Sequence, residues 1–376
     1  MGQAAASAYV HFPWCLKKCP YCDFASAAVR RAEVPHQAYA DALRRELDAR
    51  DVRGRRLVSV FFGGGTPSLW DPRALGSALE AIRGAFASEA PDLEVTVECN
   101  PTSIDAEKAT ALREAGVSRL SLGVQSVDDG RLRFLGRLHD AAGALAALEA
   151  VVPVMERVSA DLMFGMPGQT AADFEVEIAR VLATGVEHVS AYALTIEPDT
   201  QFGALHRKGR LTLAPEGDFA ETFERARAAF AAAGFEHYEV SNHARPGRSS
   251  RHNQHYWRGG DYLGLGAGAV GTLDGRRYKN DPRPERYLAR PDAAEIFEEH
   301  LSPDDRVREA LMLGLRTAEG IALDALEART GLDPRAGREV AVARRIARGD
   351  LVEEGARWLV PHARWLHLDG IVADLF

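Results

Sequence analysis

The sequence predicts an α/β fold, a partial (β/α)6 barrel followed by a small, helical, winged-helix-like C-terminal unit. Two observations predict it. Short β-branched or aromatic runs alternate with Ala-, Leu-, Arg- and Glu-rich stretches of helical period, and polar or glycine-rich residues lie at the ends of most of those runs. The chain has 376 residues and is 46% hydrophobic, which is enough for one large core and a smaller second unit.

Six runs are predicted strands, and the helices between them make neighbouring strands parallel. The clearest of these helices covers Tyr39 to Arg50, where Tyr39, Leu43 and Leu47 share one face. Because a complete barrel needs eight such units, six indicate an open partial barrel or a wound sheet. The predicted strands are Tyr9 to Phe12, Leu57 to Phe62, Leu93 to Val97, Arg119 to Val124, Val158 to Phe164 and His188 to Leu194.

Candidate site residues lie near the carboxyl ends of the predicted strands. In barrels and wound sheets of parallel strands, this edge carries the chemistry. Each strand from the second to the sixth has a polar or glycine-rich element there, and we therefore expect one site at this edge. The elements are Gly63 to Pro67, Glu98 to Pro101, Gln125 with Ser126, Asp161, and Tyr192 with Ala193.

Cys15, Cys19 and Cys22 form a C-x3-C-x2-C motif just after the first predicted strand. Thiolates suit iron-sulfur clusters, and a tight loop lets three of them converge on one 4Fe-4S cluster whose fourth iron has no protein ligand. The alternatives are a structural zinc site, which would want a fourth Cys or His in ligand-pair spacing, and an accidental grouping of thiols. Four cysteines in a chain of this size are too few for a disulfide framework.

With this cysteine spacing the sequence resembles the radical SAM superfamily, whose members let S-adenosylmethionine (SAM) chelate the open iron by its amino and carboxylate groups. Gly63 to Pro67 supports the resemblance, because glycines allow a backbone to approach a ligand closely and loop amides can meet a carboxylate. A glycine loop alone also fits an ordinary turn. The segments Tyr9 to Cys15 and Phe62 to Pro67 resemble oxygen-independent coproporphyrinogen oxidase and its relatives.

The resemblance to that family implies a set of SAM contacts. Carboxylates such as Glu98 and Asp161 can accept hydrogen bonds from an amine or from ribose hydroxyls, and Arg137 can clamp a carboxylate. For any one of the residues, a structural polar group at a strand end is the alternative. The implied contacts are Tyr9, Tyr21, Gly65, Thr66, Glu98, Gln125, Arg137, Asp161, Ala193 and Val270.

In two features the sequence departs from the oxidases and resembles the HemW branch, whose members are haem chaperones. The oxidases carry a fourth cysteine two positions after the third, and this chain has Phe24 there. They also have a longer N-terminal extension, whereas fourteen residues precede Cys15 here. This resemblance implies that the chain binds haem and delivers it to an acceptor protein, with respiratory haem proteins as candidates.

The HemW branch also carries a His-Asn-x-x-Tyr-Trp motif, which stands here at residues 252–257. A neutral imidazole is a good axial ligand for haem iron, and flanking Tyr and Trp rings can pack on a porphyrin. The resemblance implies His252 as the first candidate ligand and His255 as the second, with Tyr256 and Trp257 as packing partners. From the residues alone, a polar loop whose aromatic rings seal the open side of the barrel fits equally well.

The C-terminal part predicts a separate unit. Residues 1–280 contain the predicted barrel with its cluster and SAM site, Asn280 to Pro291 is rich in Pro and Arg and predicts a linker, and residues 301–376 form the second unit. We predict helices over Asp304 to Arg316, Ala322 to Arg329 and Arg338 to Arg348, followed by a hairpin over Leu351 to Val360. Helix, helix, helix, hairpin is typical of a winged helix.

Winged helices often bind DNA, but the charge disfavours it here. Residues 301–376 contain 13 Asp and Glu against 11 Arg, and the whole chain carries a formal charge of −8. Phosphate neutralisation needs a surplus of Lys and Arg, and we therefore do not expect a nucleic-acid partner. By resemblance to the family, this unit covers the open side of the barrel or contacts a partner.

We expect a cytoplasmic protein, since no window approaches the roughly 18 apolar residues of a membrane span and Met1 to Ser7 lacks secretory features. Three functional hypotheses follow: a haem chaperone, an oxygen-independent coproporphyrinogen III oxidase (dehydrogenase) of porphyrin biosynthesis, and an interaction protein with a structural cluster. Phe24 and the short N-terminus favour the first over the second. The implied SAM contacts weigh against the third. Cys99 stays unassigned, with a small buried thiol as the expected role.

Overall fold

The computed structural model describes residues 3–376, which contain 17 strands and 14 α-helices. The strands are β1 (Ala5–Phe12), β2 (Trp14–Cys15), β3 (Ala27–Ala28), β4 (Arg56–Gly64), β5 (Ser88–Cys99), β6 (Arg119–Gln125), β7 (Arg157–Phe164), β8 (His188–Ala193), β9 (Glu236–Glu239), β10 (Asn242–Ala244), β11 (Asp261–Leu265), β12 (Val270–Leu273), β13 (Arg276–Asn280), β14 (Glu295–His300), β15 (Ile321–Ala322), β16 (Val352–Glu354) and β17 (Arg357–Leu359).

The helices lie mainly between the strands. They are α1 (His36–Asp48), α2 (Pro72–Ala85), α3 (Ala106–Glu114), α4 (Asp129–Phe134), α5 (Ala141–Val151), α6 (Ala171–Leu182), α7 (Gln201–Arg207), α8 (Glu216–Ala232), α9 (Arg251–Trp257), α10 (Pro284–Ala289), α11 (Pro303–Gly314), α12 (Leu323–Thr330), α13 (Glu339–Ala347) and α14 (Leu368–Ala373).

Twelve strands form the main sheet, in the order β14-β13-β12-β11-β1-β4-β5-β6-β7-β8-β10-β9. The six predicted strands are all present as the parallel neighbours β1, β4, β5, β6, β7 and β8. In addition, β11 pairs parallel to β1, and antiparallel strands extend both edges. Because β14 and β9 stand at opposite ends of this order, the barrel is open, and the predicted partial α/β barrel is confirmed.

Apolar packing and side-chain caps position the helices around the sheet. Tyr39, Leu43 and Leu47 of α1 are buried on one helix face, as their spacing predicts. Asp71 accepts hydrogen bonds from the first amides of α2, and Thr170 with Asp173 forms a capping box at the start of α6. Such caps satisfy amides that have no partner inside the helix.

The segment from Asn280 to Pro291 is structured, contrary to the linker prediction. Asn280 ends β13, and α10 follows. Tyr287 is fully buried and donates to Glu46 Oε2 (2.8 Å), while Asn280 Nδ2 donates to Glu46 Oε1 (2.7 Å). The Pro- and Arg-rich composition did not predict this structure, because only one buried tyrosine and one buried amide anchor an otherwise polar segment. The chain then rejoins the main sheet as β14.

The C-terminal part has the predicted order of three helices and a hairpin, here α11, α12, α13 and β16 with β17. A short strand, β15, completes a three-stranded sheet in the order β15-β17-β16, and α14 follows. Arg316 donates to Glu239 Oε1 (2.9 Å), which ties this part to β9. Within residues 3–376, no helix is both long and apolar enough to cross a membrane.

Candidate functional site

A cavity of about 300 Å³ lies at the carboxyl ends of the parallel strands, where the sequence predicts the site. We call it the cysteine cavity. Ten of the predicted site residues line it, because the strands that carry them end at one edge and the cysteine loop folds over that edge. They are Cys15, Cys19, Tyr21, Cys22, Gly65, Thr66, Glu98, Gln125, Arg137 and Asp161.

Two of the three motif thiols accept a hydrogen bond from a neighbouring side chain. Thr66 Oγ1 donates to Cys15 Sγ (3.4 Å), and Arg137 Nη1 donates to Cys19 Sγ (3.7 Å). Burial raises the pKa of Cys15 and of Cys22, so metal binding would have to displace a proton from each of these two thiols. The hydrogen bonds from Thr66 and Arg137 favour the thiolate form that iron requires.

A single zinc ion and a 4Fe-4S cluster require different arrangements of the three thiols. Among residues 3–376, no three His, Cys, Asp or Glu side chains gather closely enough to hold one metal ion. A tetrahedral zinc site needs ligands that converge on one atom, whereas a cuboidal cluster presents a separate iron to each thiolate.

The glycine loop packs tightly under the cysteine segment. Gly64 has φ +105°, and a Cβ on Gly65 would lie 2.6 Å from the carbonyl oxygen of Trp14, so both positions require glycine. The amide of Gly65 donates to Phe12 O (2.7 Å) and that of Thr66 to Trp14 O (2.8 Å). These two amides therefore hold the loop against the cysteine segment.

Two carboxyl groups share the wall of the cysteine cavity. Burial, reinforced by the charge of Asp161, raises the pKa of Glu98 to about 8. Glu98 Oε2 accepts from the amide of Gly64 (3.1 Å), and Ser121 Oγ lies 3.2 Å from each oxygen of Asp161. Burial also raises the pKa of Asp161. A cationic or hydroxylated ligand would relieve this unfavourable proximity of two acids.

Arg137 has an unused donor in the same cavity. Its Nη2 donates to Gly123 O (2.5 Å), but its buried Nε has no hydrogen-bond partner among the residues that the structure describes. Nearby, Gln125 has φ +66°, a conformation that non-glycine residues rarely adopt and that marks functional sites. A buried guanidinium donor without a partner fits a ligand that brings a carboxylate.

Three predicted SAM contacts lie outside the lining of the cysteine cavity. Tyr9 is half-buried, and its hydroxyl is 2.9 Å from His11 Nδ1. Ala193 follows Tyr192, which does line the cavity. Val270 lines a second cavity, next to the C-terminal helices.

Comparison with known proteins agrees with these features. The family model described as Radical SAM superfamily matches residues 9–181, and that of the HemN C-terminal domain matches residues 301–366. The chain is 34% identical to the heme chaperone HemW of Haemophilus influenzae over 98% of this chain and 97% of that protein. It is 39% identical to HemW of Escherichia coli over 72% of this chain and 71% of that protein. The chain belongs to the HemW family of radical SAM proteins.

The fold of this HemW-family chain is also found in a solved structure. Coproporphyrinogen III oxidase (HemN) from Escherichia coli, described as a radical SAM enzyme, matches with a TM-score of 0.82 and 22% identity, over 100% of this chain and 91% of that one. At this identity the likeness shows the fold alone. Membership of the radical SAM family implies a 4Fe-4S cluster and SAM, and the donors of the cysteine cavity fit both.

The HemW-type motif at residues 252–257 does not form one pocket. His252 is buried, its Nδ1 lies 2.9 Å from Ser59 Oγ, and burial lowers its pKa to about 3. His255 Nε2 contacts the carbonyl of Asp261 (2.9 Å), and the Trp257 ring is 6.0 Å from that of Tyr238. Tyr256 lines the second cavity. The α9 helix therefore directs the four side chains to different surroundings.

Sequence reasoning missed several residues of the cysteine cavity, among them Ser121 and Met163. A signal for them existed. Side chains on one face of a strand recur every two residues, so the assignment of Gln125 to the site also selects Ser121, and that of Asp161 selects Met163. The lining residue Cys99 donates to Val97 O (3.6 Å), and burial raises its pKa to about 12, as expected of a buried thiol.

Proposed function

We propose that this chain is a haem chaperone that binds haem and transfers it to an acceptor protein, with a 4Fe-4S cluster on Cys15, Cys19 and Cys22 and an exchangeable SAM. The observation that carries the proposal is the 34% identity to a heme chaperone over nearly the full length of both chains. Phe24 supports it. This side chain is 55% exposed at the cysteine cavity and stands where the oxidases have a fourth cysteine.

Named side chains would hold the cofactors in this proposal. The three thiolates would ligate the cluster, and Arg137 Nε would donate to the carboxylate of SAM. Glu98 and Asp161 would accept from the amine or ribose hydroxyls of SAM, and Gly65 and Thr66 would line the site. When bound, the cluster and SAM supply one-electron chemistry, and the protein supplies position and charge.

We place the chaperone in the cytoplasm and propose haem proteins, including respiratory ones, as its acceptors. We further propose a division into a radical SAM barrel at residues 1–280 and a C-terminal unit at residues 301–376, to which the HemN C-terminal family corresponds at 301–366. The acidic balance of the C-terminal unit supports a protein partner over nucleic acid.

A radical SAM coproporphyrinogen III oxidase is the second candidate. The observation that favours it is the retained acid and arginine set, Glu98, Arg137 and Asp161, around one cavity. A chaperone that never used SAM would have no need for these three side chains around one cavity. In this alternative the chain would carry out oxidative decarboxylation of coproporphyrinogen propionates.

The test compares both activities in one preparation. Anaerobically reconstituted protein is titrated with haem, and in parallel it is incubated with SAM, dithionite and coproporphyrinogen III. We expect stoichiometric haem binding, read from absorbance spectra, and no protoporphyrinogen. Product formation without haem binding would overturn the chaperone proposal and establish the oxidase.

A further inference from the structure

A second cavity, of about 400 Å³, lies between the barrel and the C-terminal unit. We call it the interface cavity. Its walls come from β11, β12 and β13 on one side and from α11 and α12 on the other. Tyr256 and Met312 line it and remain 38% and 45% exposed, although both are large apolar side chains. Large apolar groups left exposed together in a cavity indicate a ligand with an apolar face.

The acidic side chains of the interface cavity already have cationic partners. Glu309 pairs with Arg277 (Oε1 to Nη1, 2.6 Å), and Asp261 pairs with Arg55 (Oδ2 to Nη1, 2.8 Å). Both carboxylates therefore already form an ion pair with an arginine other than Arg306 and Arg329.

Two further arginines, Arg306 and Arg329, line the same cavity. Within residues 3–376, neither has a carboxylate oxygen within 4.0 Å. Burial and the charge of Arg306 lower the pKa of Arg329, against an opposing effect of Asp261. Two neighbouring arginines that lack a direct ion pair form a site for a ligand with anionic groups.

Contacts with α9 and the following turn hold Arg329 in place. Its Nη1 donates to Gly259 O (3.1 Å) and to the carbonyl of Arg258. A Cβ on Gly259 would lie 2.8 Å from Arg329 Nη2, so glycine is needed for the guanidinium to lie this close. The arginine is thus preorganised next to Tyr256, and little side-chain freedom is lost when an anion binds.

We propose that the interface cavity binds haem, with the propionates on Arg306 and Arg329 and the macrocycle against Tyr256 and Met312. Haem combines a flat apolar ring with two carboxylates on one edge, which matches the arrangement of apolar and cationic groups here. This inference rests on the proposed chaperone function. It also gives Tyr256 of the His-Asn-x-x-Tyr-Trp motif a haem contact in a place separate from buried His252.

The experiment titrates the full chain with haem and with haem dimethyl ester, whose propionates carry no charge. The Arg306→Met/Arg329→Met variant is compared with an Arg73→Met/Arg290→Met control, which removes two exposed arginines that line neither cavity. We expect the double variant to bind haem at least tenfold more weakly than the control. The parent chain should bind the ester as weakly as the variant binds haem, and the variant should not distinguish haem from ester.

Two results would overturn this inference while leaving the chaperone proposal intact: equal haem affinity in the variant and the control, or equal affinity of the parent for haem and its ester. The ester measurement needs no substitution, so it decides the question even if the double variant fails to fold. A parent chain that binds no haem would instead overturn the proposed function itself, and this inference with it.

Discussion

At the scale of single residues, the three motif thiols differ from Cys99 in their surroundings. Cys15 and Cys19 accept hydrogen bonds from Thr66 and Arg137, whereas the buried thiol of Cys99 donates to the backbone carbonyl of Val97 on its own strand. Donors and positive charge stabilise a thiolate, while burial alone opposes it. The surroundings of the motif thiols therefore favour a thiolate more than those of Cys99 do.

We predict that Cys19→Ala loses the cluster and that Cys99→Ala keeps it. Removing one of three ligands leaves two irons of the cluster without a protein ligand, so iron and sulfide content should fall to background in Cys19→Ala. Iron and sulfide analysis after anaerobic reconstitution checks this, together with visible absorbance. Unchanged iron content in Cys19→Ala would exclude this thiol as a ligand. Loss of iron in Cys99→Ala would identify Cys99 as a fourth cysteine ligand.

At the scale of elements, Glu94 of β5 anchors the start of the α9 helix, which carries the His-Asn-x-x-Tyr-Trp motif. It accepts from the amides of Arg251 (3.2 Å) and His252 (3.1 Å) at the start of the helix. It also pairs with buried Arg157 (2.5 Å), whose Nη2 donates in turn to the carbonyl of Ser249 (2.6 Å). One buried carboxylate thus neutralises a buried cation and also accepts hydrogen bonds from the first amides of α9.

We predict that Glu94→Ala lowers the free energy of unfolding by about 3 to 5 kcal/mol, because it leaves Arg157 buried without a counterion. The matched control is Glu89→Ala on the same strand, where Glu89 pairs with Arg83 but both are well exposed. Removal of that surface pair should cost about 1 kcal/mol or less. Urea unfolding measures both values. Similar losses in the two variants would show that Glu94 does not anchor α9.

At the scale of the whole molecule, stacked histidines join the edge of the barrel to the C-terminal unit. His243 on β10 stacks on His237 at 4.0 Å and on Phe230 at 4.2 Å between ring centroids. The His237 ring meets Trp365 at 4.5 Å, and His362 Nε2 contacts the carbonyl of His237 (2.9 Å). Burial lowers the pKa of His243 well below its usual value, and it lowers that of His237 to about 4.

The neutral state of His243 makes the fold sensitive to acid. In the unfolded chain this imidazole gains a proton as the pH falls below about 6.5, but in the folded chain it stays neutral. The unfolded state then binds more protons, so the stability that His243 contributes is complete above pH 6.5 and is lost as the pH falls toward the lower, folded pKa. We therefore expect the reconstituted protein to be less stable at pH 5.0 than at pH 7.5.

We predict that His243→Phe reduces this loss of stability between pH 7.5 and 5.0 by up to about 2 kcal/mol, since one buried group no longer titrates. Phenylalanine keeps the ring stack, and the Nδ1 that it removes has no hydrogen-bond partner among the described residues. Urea unfolding at the two pH values measures the effect, with His300→Phe, an exposed position, as the control. An unaltered pH dependence in His243→Phe would show that His243 does not carry it.

The sequence by itself determined the six parallel strands, the cysteine loop and the edge at which the site lies. Those features depend on local periodicity and on the rule that parallel strands present their carboxyl ends together. Only the tertiary structure decided that Asn280 to Pro291 packs against α1, that β11 to β14 extend the sheet, and that the motif side chains at 252–257 separate. The contacts responsible join residues far apart in the chain, such as Ser59 with His252 and Glu46 with Tyr287. A local sequence pattern does not predict contacts of this kind.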